Sequence, residues 1–180
     1  RKIAEILRTW DEAIEAAEAD LKAKQERKRW LMDKLLVGAW AAQKIGDLFE
    51  LEGSGIDKII LQGEQVVPLV NYMDAYKKRV LQCSDITAKT SVSPGDLARC
   101  RLKRGDIVLT PSSETPDDIA HSALIDFDPG DAVHSYHLFR LRARSDSAII
   151  HEFRAYFLNH INVRKQFIRI CSGTTRFTLT

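Results

Sequence analysis

The chain has 180 residues, the size of one domain or of one domain with an appended element. With 44% hydrophobic and 29% charged residues it can bury a core, which excludes a disordered tail or a low-complexity linker. Its longest uncharged apolar run, from Leu35 up to Lys44, is far shorter than the ~20 residues that cross a bilayer. Three cysteines without metal-like spacing favour reduced thiols and a cytoplasmic protein. The sequence opens with Arg1-Lys2 and a charged helical pattern rather than with a signal peptide. Because it does not begin with Met, we expect a piece of a longer protein.

The net charge of +2 is unevenly distributed along the chain. Residues 77–104 contain eight basic and two acidic residues, and residues 140–176 again contain eight and two. Between them, residues 105–131 contain seven acidic residues and no Lys or Arg. Basic segments of this kind can form a positive face that binds a polyanion, although on charge alone a solvated surface is the simpler explanation.

Residues 1–36 predict one long helix, because apolar residues recur at alternating steps of four and three and no Gly or Pro precedes Gly38. The heptad seam consists of Ile3, Leu7, Trp10, Ile14, Ala17, Leu21, Lys24, Lys28, Leu31 and Leu35. Such a helix extends for roughly 50 Å, more than a small domain needs for its own core. We predict that residues 1–38 form a coiled-coil helix for spacing or dimerisation, with the eight apolar seam residues as its interface.

Residues 39–180 have a different pattern, with short alternating segments separated by turn-forming residues. Strands are predicted at Gln65–Val70, Ile107–Leu109, Ser135–Arg144 and Thr175–Thr180. The third of these would carry an apolar face and a basic face. Apolar residues at intervals of four, from Ile149 to Ile161, then predict an amphipathic helix that ends near Cys171. The predicted fold class is α+β: a long N-terminal coiled-coil helix followed by a compact mixed α/β domain.

No catalytic or cofactor-binding motif is recognisable in the sequence. There is no phosphate-binding loop and no closely spaced glycine fingerprint for a dinucleotide or a methyl donor. His134 and His137 would lie on opposite faces of a strand, which argues against a metal site. His121 with Ser122 lacks the sharp strand-to-helix turn that presents a nucleophile. The sequence therefore predicts a non-catalytic chain without a metal.

Five stretches follow one another in a characteristic order. They are Ile3–Leu7 with Trp10–Asp11 and Lys28–Leu36, Trp40 with Lys44–Phe49, Leu102–Ile107 with Ser112–Thr115, Ser135–Arg142, and Ser172–Phe177. Together they resemble the conserved-region helix and one target recognition domain of the specificity subunits of type I restriction–modification systems. The resemblance covers essentially the whole chain. It implies domains at residues 1–38 and 39–180, the second truncated at its C-terminal end.

The resemblance implies sequence-specific DNA recognition without catalysis. Members of the family grip the two halves of a split site with two recognition domains, which antiparallel conserved helices hold apart. They direct modification subunits, which methylate adenine, and restriction subunits, which translocate and cut DNA. The expected partners are therefore double-stranded DNA and these subunits, with S-adenosylmethionine, ATP and Mg²⁺ on the partner subunits only. A chain with a single conserved helix is expected to form a homodimer through that helix and to bind no membrane.

Two groups of residues are candidates for contacts with DNA, because basic side chains hold phosphates whereas hydroxyl, amide and Arg side chains reach base edges. The candidates for phosphate contacts are Lys77, Lys78, Arg79, Arg101, Lys103 and Arg104. The candidates for reading bases or backbone are Thr110, Ser112, Ser113, Glu114, Thr115, Thr174, Thr175 and Arg176. Structural roles stay open, since Glu114 could cap a loop and Arg176 could pair with an acidic residue of segment 105–131. The tyrosines Tyr72, Tyr76 and Tyr136 are expected in the core.

The alternative function is a protein-interaction module, in which a coiled-coil dimeriser carries an α+β domain that binds other proteins. A methyltransferase or nuclease that acts alone ranks third, because it needs a cofactor site that the sequence lacks. Binding to random duplex DNA that weakens steeply with salt distinguishes the DNA-binding function from the alternative.

Overall fold

The computed structural model describes residues 1–36, 38, 42–146 and 149–179. Trp40, which contributes to the family resemblance, and Thr180, the last residue of the predicted terminal strand, lie outside the described residues. The chain divides into two compact units, Arg1–Ala42 and Gln43–Thr180. A long helix followed by a mixed α/β unit is the architecture that the sequence predicts, and this fold class is confirmed.

The described part of the first unit contains one helix, α1, which spans Lys2–Leu36. None of its residues is buried, and the seam residue Trp10 is 66% exposed. The ion pairs Arg8–Glu12 and Lys24–Asp20 lie at the surface, where such pairs contribute only a few tenths of a kcal/mol. The predicted helix is therefore present, whereas its pairing through the seam stays a prediction. No helix in the described part of the chain is both long and apolar enough to cross a membrane.

The second unit contains five short helices, two 3₁₀ turns and ten strands among its described residues. The helices are α2 (Ile45–Leu48), α3 (Tyr72–Lys77), α4 (Pro94–Cys100), α5 (His151–Phe157) and α6 (Ile161–Ile170), and the 3₁₀ turns are Cys83–Asp85 and Pro116–Asp118. The strands are β1 (Phe49–Gly53), β2 (Gln65–Val70), β3 (Val80–Leu81), β4 (Ala88–Val92), β5 (Ile107–Leu109), β6 (Ser112–Ser113), β7 (Ser122–Ile125), β8 (Val133–His134), β9 (Phe139–Ala143) and β10 (Phe177–Thr178).

A five-stranded sheet in the order β1-β9-β5-β7-β3 forms the centre of this unit. Its strands are antiparallel except for β7 and β3, which pair in parallel. Ile107 and Leu109 of β5 pack into one apolar cluster with Leu158 and Phe167, whereas Val108 packs into a second cluster on the opposite face. Burial on both faces explains why β5 is continuously apolar rather than alternating.

Two smaller sheets flank the central one. Strands β4, β2 and β8 form a three-stranded sheet, in which β2 pairs antiparallel with β4 and parallel with β8. Its buried side chains pack with Cys100 and with the partly buried Leu97 of α4. Strands β6 and β10 form the third sheet, in which Phe177 lies opposite Ser113 and Thr178 opposite Ser112. This ladder joins two stretches that are more than sixty residues apart in the sequence.

The single amphipathic helix predicted from Ile149 to Cys171 is wrong, because two helices occupy this stretch. The break falls between Phe157 and Ile161, where His160 adopts an extended conformation and its ring accepts the backbone N–H of Asn162. Asn159 fixes the break against β7, since its side-chain amide donates to the carbonyl oxygen of Ser122 at 2.9 Å. A tertiary hydrogen bond thus overrides the local periodicity.

The basic face predicted for Ser135–Arg144 is also wrong, because its central arginines point into the protein. Strand β9 is shorter than predicted, and Arg140 is only 6% exposed. The Arg140 guanidinium donates to the carbonyl oxygen of Arg99 at 2.8 Å. Arg142 donates to both carboxylate oxygens of the buried Asp106, at 2.9 and 2.7 Å. These charges hold α4 and the start of β5 rather than facing solvent.

We expect the free energy of unfolding to fall as pH decreases below about 6.5. His134 is fully buried, and burial lowers the pKa of its imidazole, although its Nδ1–H donates to the carbonyl oxygen of Cys100 at 3.1 Å. The unfolded chain therefore binds this proton at a higher pH than the folded chain does. Between the unfolded pKa and the lower folded pKa, stability decreases by at most about 1.4 kcal/mol per pH unit.

Urea unfolding of the wild type and of His134→Asn between about pH 5 and pH 7 measures this slope. The amide of Asn retains a donor but does not titrate, so the slope should become shallower in the variant. An identical slope in both proteins would contradict the assignment to His134. His137→Asn is the matched comparison, because burial lowers the pKa of His137 as well, but this residue is only half-buried.

Candidate nucleic-acid interface

The connection between β5 and β7, residues 110–121, forms a closed loop that contains the predicted motif Thr110–Thr115. Thr110 closes the base of this loop: its N–H donates to the carbonyl oxygen of His121 at 2.8 Å, and its hydroxyl oxygen accepts the N–H of His121 at 2.9 Å. Its carbonyl oxygen accepts the N–H of Ala120, a buried residue with a left-handed φ of 64°. Because that conformation costs about 1–2 kcal/mol for a non-glycine residue, the Thr110 contacts hold a strained backbone in place.

Two tyrosines of α3 support the same loop from outside. The Tyr72 hydroxyl donates to the carbonyl oxygen of Ser112 at 3.4 Å, and the Tyr76 hydroxyl donates to the Asp118 carboxylate at 3.2 Å. The two rings stack with centroids 5.9 Å apart, as expected for residues four apart on a helix. Burial and then the nearby Asp118 carboxylate raise the pKa of Tyr72. The tyrosines thus contact both ends of segment 112–118.

Arg164 of α6 contacts the far side of the loop. Its Nη2 donates to the carbonyl oxygens of Asp117 at 2.8 Å and of Ile119 at 3.1 Å, so one guanidinium bridges the 3₁₀ turn Pro116–Asp118. The Nε2 of His121 lies 2.8 Å from the same Asp118 carboxylate oxygen that accepts from Tyr76. The segment that follows Thr115 is therefore held by Tyr76 of α3, by Arg164 of α6 and by His121, which directly precedes β7.

The stretch Ser172–Thr178 forms a tight hairpin beside this loop. The N–H of Ser172 donates to the carbonyl oxygen of Thr178 at 3.0 Å, and the N–H of Thr178 donates back to Ser172 at 2.8 Å. Gly173 has a φ of 142°, and a Cβ at this position would clash with the carbonyl oxygen of Arg176. The hairpin thus needs glycine at 173, and it leaves Thr174, Thr175 and Arg176 exposed.

The β6–β10 ladder brings together the two stretches that the sequence proposes for reading DNA. Their exposed members are Glu114, Thr115, Thr174, Thr175 and Arg176, while Ser112 is half-buried. Ser113 is buried, and its hydroxyl oxygen accepts the N–H of Thr115. Thr110 has no exposed surface, so the prediction that it contacts DNA is corrected: its side chain closes the loop instead.

Three of the basic candidates, Arg101, Arg104 and Lys78, form ion pairs with acidic residues. Arg101 donates to the carbonyl oxygen of Gly130 at 2.7 Å and pairs with Asp131, and Arg104 donates to Asp126 through two nitrogens at 3.1 and 3.3 Å. Lys78 pairs with the Asp85 carboxylate. The pKa of Asp126 is lowered by hydrogen bonds from His151 and Arg104. The expected positive face is thus reduced, because acidic residues neutralise much of the basic segment 77–104.

Arg176, Lys77 and Lys103 are exposed, and none of them forms an ion pair within the described residues. The pairing of Arg176 with an acidic residue of segment 105–131, which the sequence left open, is therefore not observed there. The pKa of Tyr72 is raised mainly by burial, and the positive charge of Arg176 partly offsets this increase. The pKa of His137 is lowered first by burial and then by the same charge. Arg79 is exposed as well.

Sequence reasoning missed Arg164 and placed the tyrosines wrongly. Tyr76 and Tyr136 are 36% and 46% exposed, and Tyr72 is half-buried, so the expectation that all three lie in the core is wrong. The spacing of four residues between Tyr72 and Tyr76, which places both on one face of α3, was the available signal. For Arg164 the sequence offers no signal, because its contacts are 45 to 47 residues away.

Within residues 1–36, 42–146 and 149–179, no group of three or more His, Cys, Asp or Glu side chains is placed to hold a metal.

Two solved structures align with this chain. The type I restriction–modification S subunit from M. genitalium is 11% identical over 77% of this chain and 30% of its own length, with a TM-score of 0.45. The HsdS subunit from Thermoanaerobacter tengcongensis is 12% identical over 90% of this chain and 44% of its own length, with a TM-score of 0.48. This chain thus spans less than half of either protein.

The first is an S subunit of the type I restriction–modification family that the sequence motifs resemble, and the second is an HsdS subunit. No family model and no curated protein matches the chain.

We expect Thr110→Val to lower the free energy of unfolding by about 1–3 kcal/mol, because the variant leaves the N–H of His121 without its acceptor in a partly buried position. Chemical denaturation measures this change. Thr115→Val is the matched control: the same substitution on an exposed side chain should change stability by no more than about 0.5 kcal/mol. Equal effects of the two substitutions would show that Thr110 does not close the loop.

Proposed function

We propose that the chain recognises specific sequences in double-stranded DNA, as the specificity subunit, or a half or fragment of it, of a type I restriction–modification complex. In this role it directs adenine methylation and restriction by its partner subunits. It binds those modification and restriction subunits, which carry S-adenosylmethionine, ATP and Mg²⁺, and performs no catalysis itself.

The observation that carries the proposal is the β6–β10 ladder. It places the exposed pair Glu114 and Thr115 beside the exposed run Thr174–Arg176, and both belong to motifs of the family resemblance. Carboxylate, hydroxyl and guanidinium groups are the side chains that read base edges in the major groove. Two adjacent loops that carry them on a rigid support form a surface suited to this purpose.

Lys77 and Arg176 are the cations best placed to meet DNA in this proposal. Lys77 ends α3, the helix whose tyrosines support the loop, and neither Lys77 nor Arg176 has an ion pair among the described residues. Arg101 and Arg104 are less suited to phosphate contacts, because carboxylates already occupy their guanidinium groups. We therefore assign phosphate holding to Lys77 and base reading to Arg176.

We expect Lys77→Ala to weaken binding to all duplexes about equally and to reduce the slope of log K against log salt by about 0.9. Arg176→Ala should instead lower the preference for a selected sequence over random duplex by about 1–3 kcal/mol. Selection from a random duplex pool, followed by titrations at several salt concentrations, measures both quantities.

Arg104→Ala is the matched control, since it also removes one exposed cation but one that is paired with Asp126. Its effect on the salt slope should be smaller than that of Lys77→Ala. A wild-type chain that binds no duplex at low salt would contradict the proposal and favour the protein-interaction module.

We also propose that α1 pairs with a second helix through its seam, and that in this chain the second helix belongs to another copy. The seam residues Ile3, Leu7, Ile14, Leu21 and Leu35 are each more than half exposed, which is unfavourable for a stripe of this length in water. A homodimer buries the stripe, whereas in a complete subunit a second conserved helix would do so.

We expect Trp10→Glu to convert a homodimer into a monomer, because it replaces a large apolar side chain of the seam with a charge. Sedimentation equilibrium measures the mass, and circular dichroism checks that the unit from Gln43 to Thr180 still folds. Arg8→Glu, which changes an exposed residue outside the seam, is the control and should leave the mass unchanged. A monomeric wild type would overturn the pairing.

A further inference from the structure

The exposed pair Glu114 and Thr115 is held in one shape by hydrogen bonds on both sides. On one side the Ser112–Ser113 strand pairs with β10, and on the other the N–H of Asp118 donates to the carbonyl oxygen of Thr115 at 3.2 Å. The hydrogen bond from Asp118 belongs to the 3₁₀ turn Pro116–Asp118, which is a helical turn and not part of a β-sheet. The shape of the exposed pair therefore depends on what fixes this turn.

Arg164 of α6 holds this turn in place. Its Nη2 reaches two carbonyl oxygens on either side of Asp118, at 2.8 and 3.1 Å, and its side chain is only half-exposed. Hydrogen bonds from a charged donor are stronger than neutral ones, particularly where solvent is partly excluded. Tyr76 adds a bond to the Asp118 side chain but none to the backbone of the turn.

We propose that Arg164 is a positioning residue for DNA sequence preference. It fixes the turn Pro116–Asp118, and through it the orientation of Glu114 and Thr115, without touching DNA itself. This inference rests on the proposed function. It adds a residue that determines specificity at a distance, because a reading side chain displaced by a fraction of an ångström loses its hydrogen bonds to a base edge.

The first test needs no DNA. Hydrogen exchange followed by mass spectrometry or NMR compares the wild type with Arg164→Ala. The Asp118 amide should exchange at least about tenfold faster in the variant, because the turn then opens more often. Arg169→Ala, which removes an exposed cation from the same helix, should leave that amide unchanged. Unchanged exchange in Arg164→Ala would overturn the inference whatever the chain binds.

The second test uses a random duplex pool and the sequence that the wild type selects from it. Arg164→Ala should keep the affinity for random duplex and the salt slope, but lose about tenfold or more of its preference for the selected sequence. Arg164→Lys should recover part of the preference, since an ammonium can donate to both carbonyl oxygens. Arg169→Ala should keep the full preference.

The outcomes separate this inference from the proposed function. A salt slope reduced by about one unit in Arg164→Ala would make Arg164 a direct phosphate contact and overturn its positioning role. A variant that still selects the same sequence as strongly as the wild type would overturn the inference alone. A wild type that binds no duplex would overturn the proposed function and this inference with it.

Discussion

The second unit depends on the complete burial of one three-residue strand, Ile107–Leu109. This strand is enclosed by β9 and β7 at its edges and by two apolar clusters at its faces, so none of its four sides meets water. The next residue in the chain is Thr110, which closes the candidate reading loop. The loop therefore starts from a fully buried part of the sheet, and a displacement of its base requires a displacement of the core.

The sequence predicted those elements whose signals are local. The seam of α1 and the apolar run of β5 were recognisable, because each is a periodic pattern within one segment. The break between α5 and α6 was not, since it depends on Asn159 meeting Ser122, 37 residues away. The exposed residues of the candidate site were predicted in the same way, from short motifs. The structural roles of Thr110 and Arg164 were not, because only tertiary contacts define them.

Charge was the least reliable signal, because counts along the sequence ignore which residues meet in space. Segment 105–131 supplies carboxylates to the basic segments on both sides, with Asp131 on Arg101, Asp126 on Arg104 and Asp106 on Arg142. At Arg101, Arg104 and Arg142 the positive charge is therefore largely neutralised by the paired carboxylate. Of the basic candidates in the described part of the chain, Lys77, Lys103 and Arg176 are exposed and form no ion pair. Under the proposed function, phosphate contacts would depend mainly on such unpaired cations.

The hairpin at Ser172–Thr178 has a consequence for how such a protein can change over generations. Its closure depends on backbone bonds and on glycine at 173, and not on the three side chains that follow. Those side chains, Thr174 to Arg176, contribute little to the core. Substitutions at these three exposed positions should therefore have little effect on folding. Under the proposed function, a lineage could acquire a new target preference by point substitutions here, while the scaffold stays constant.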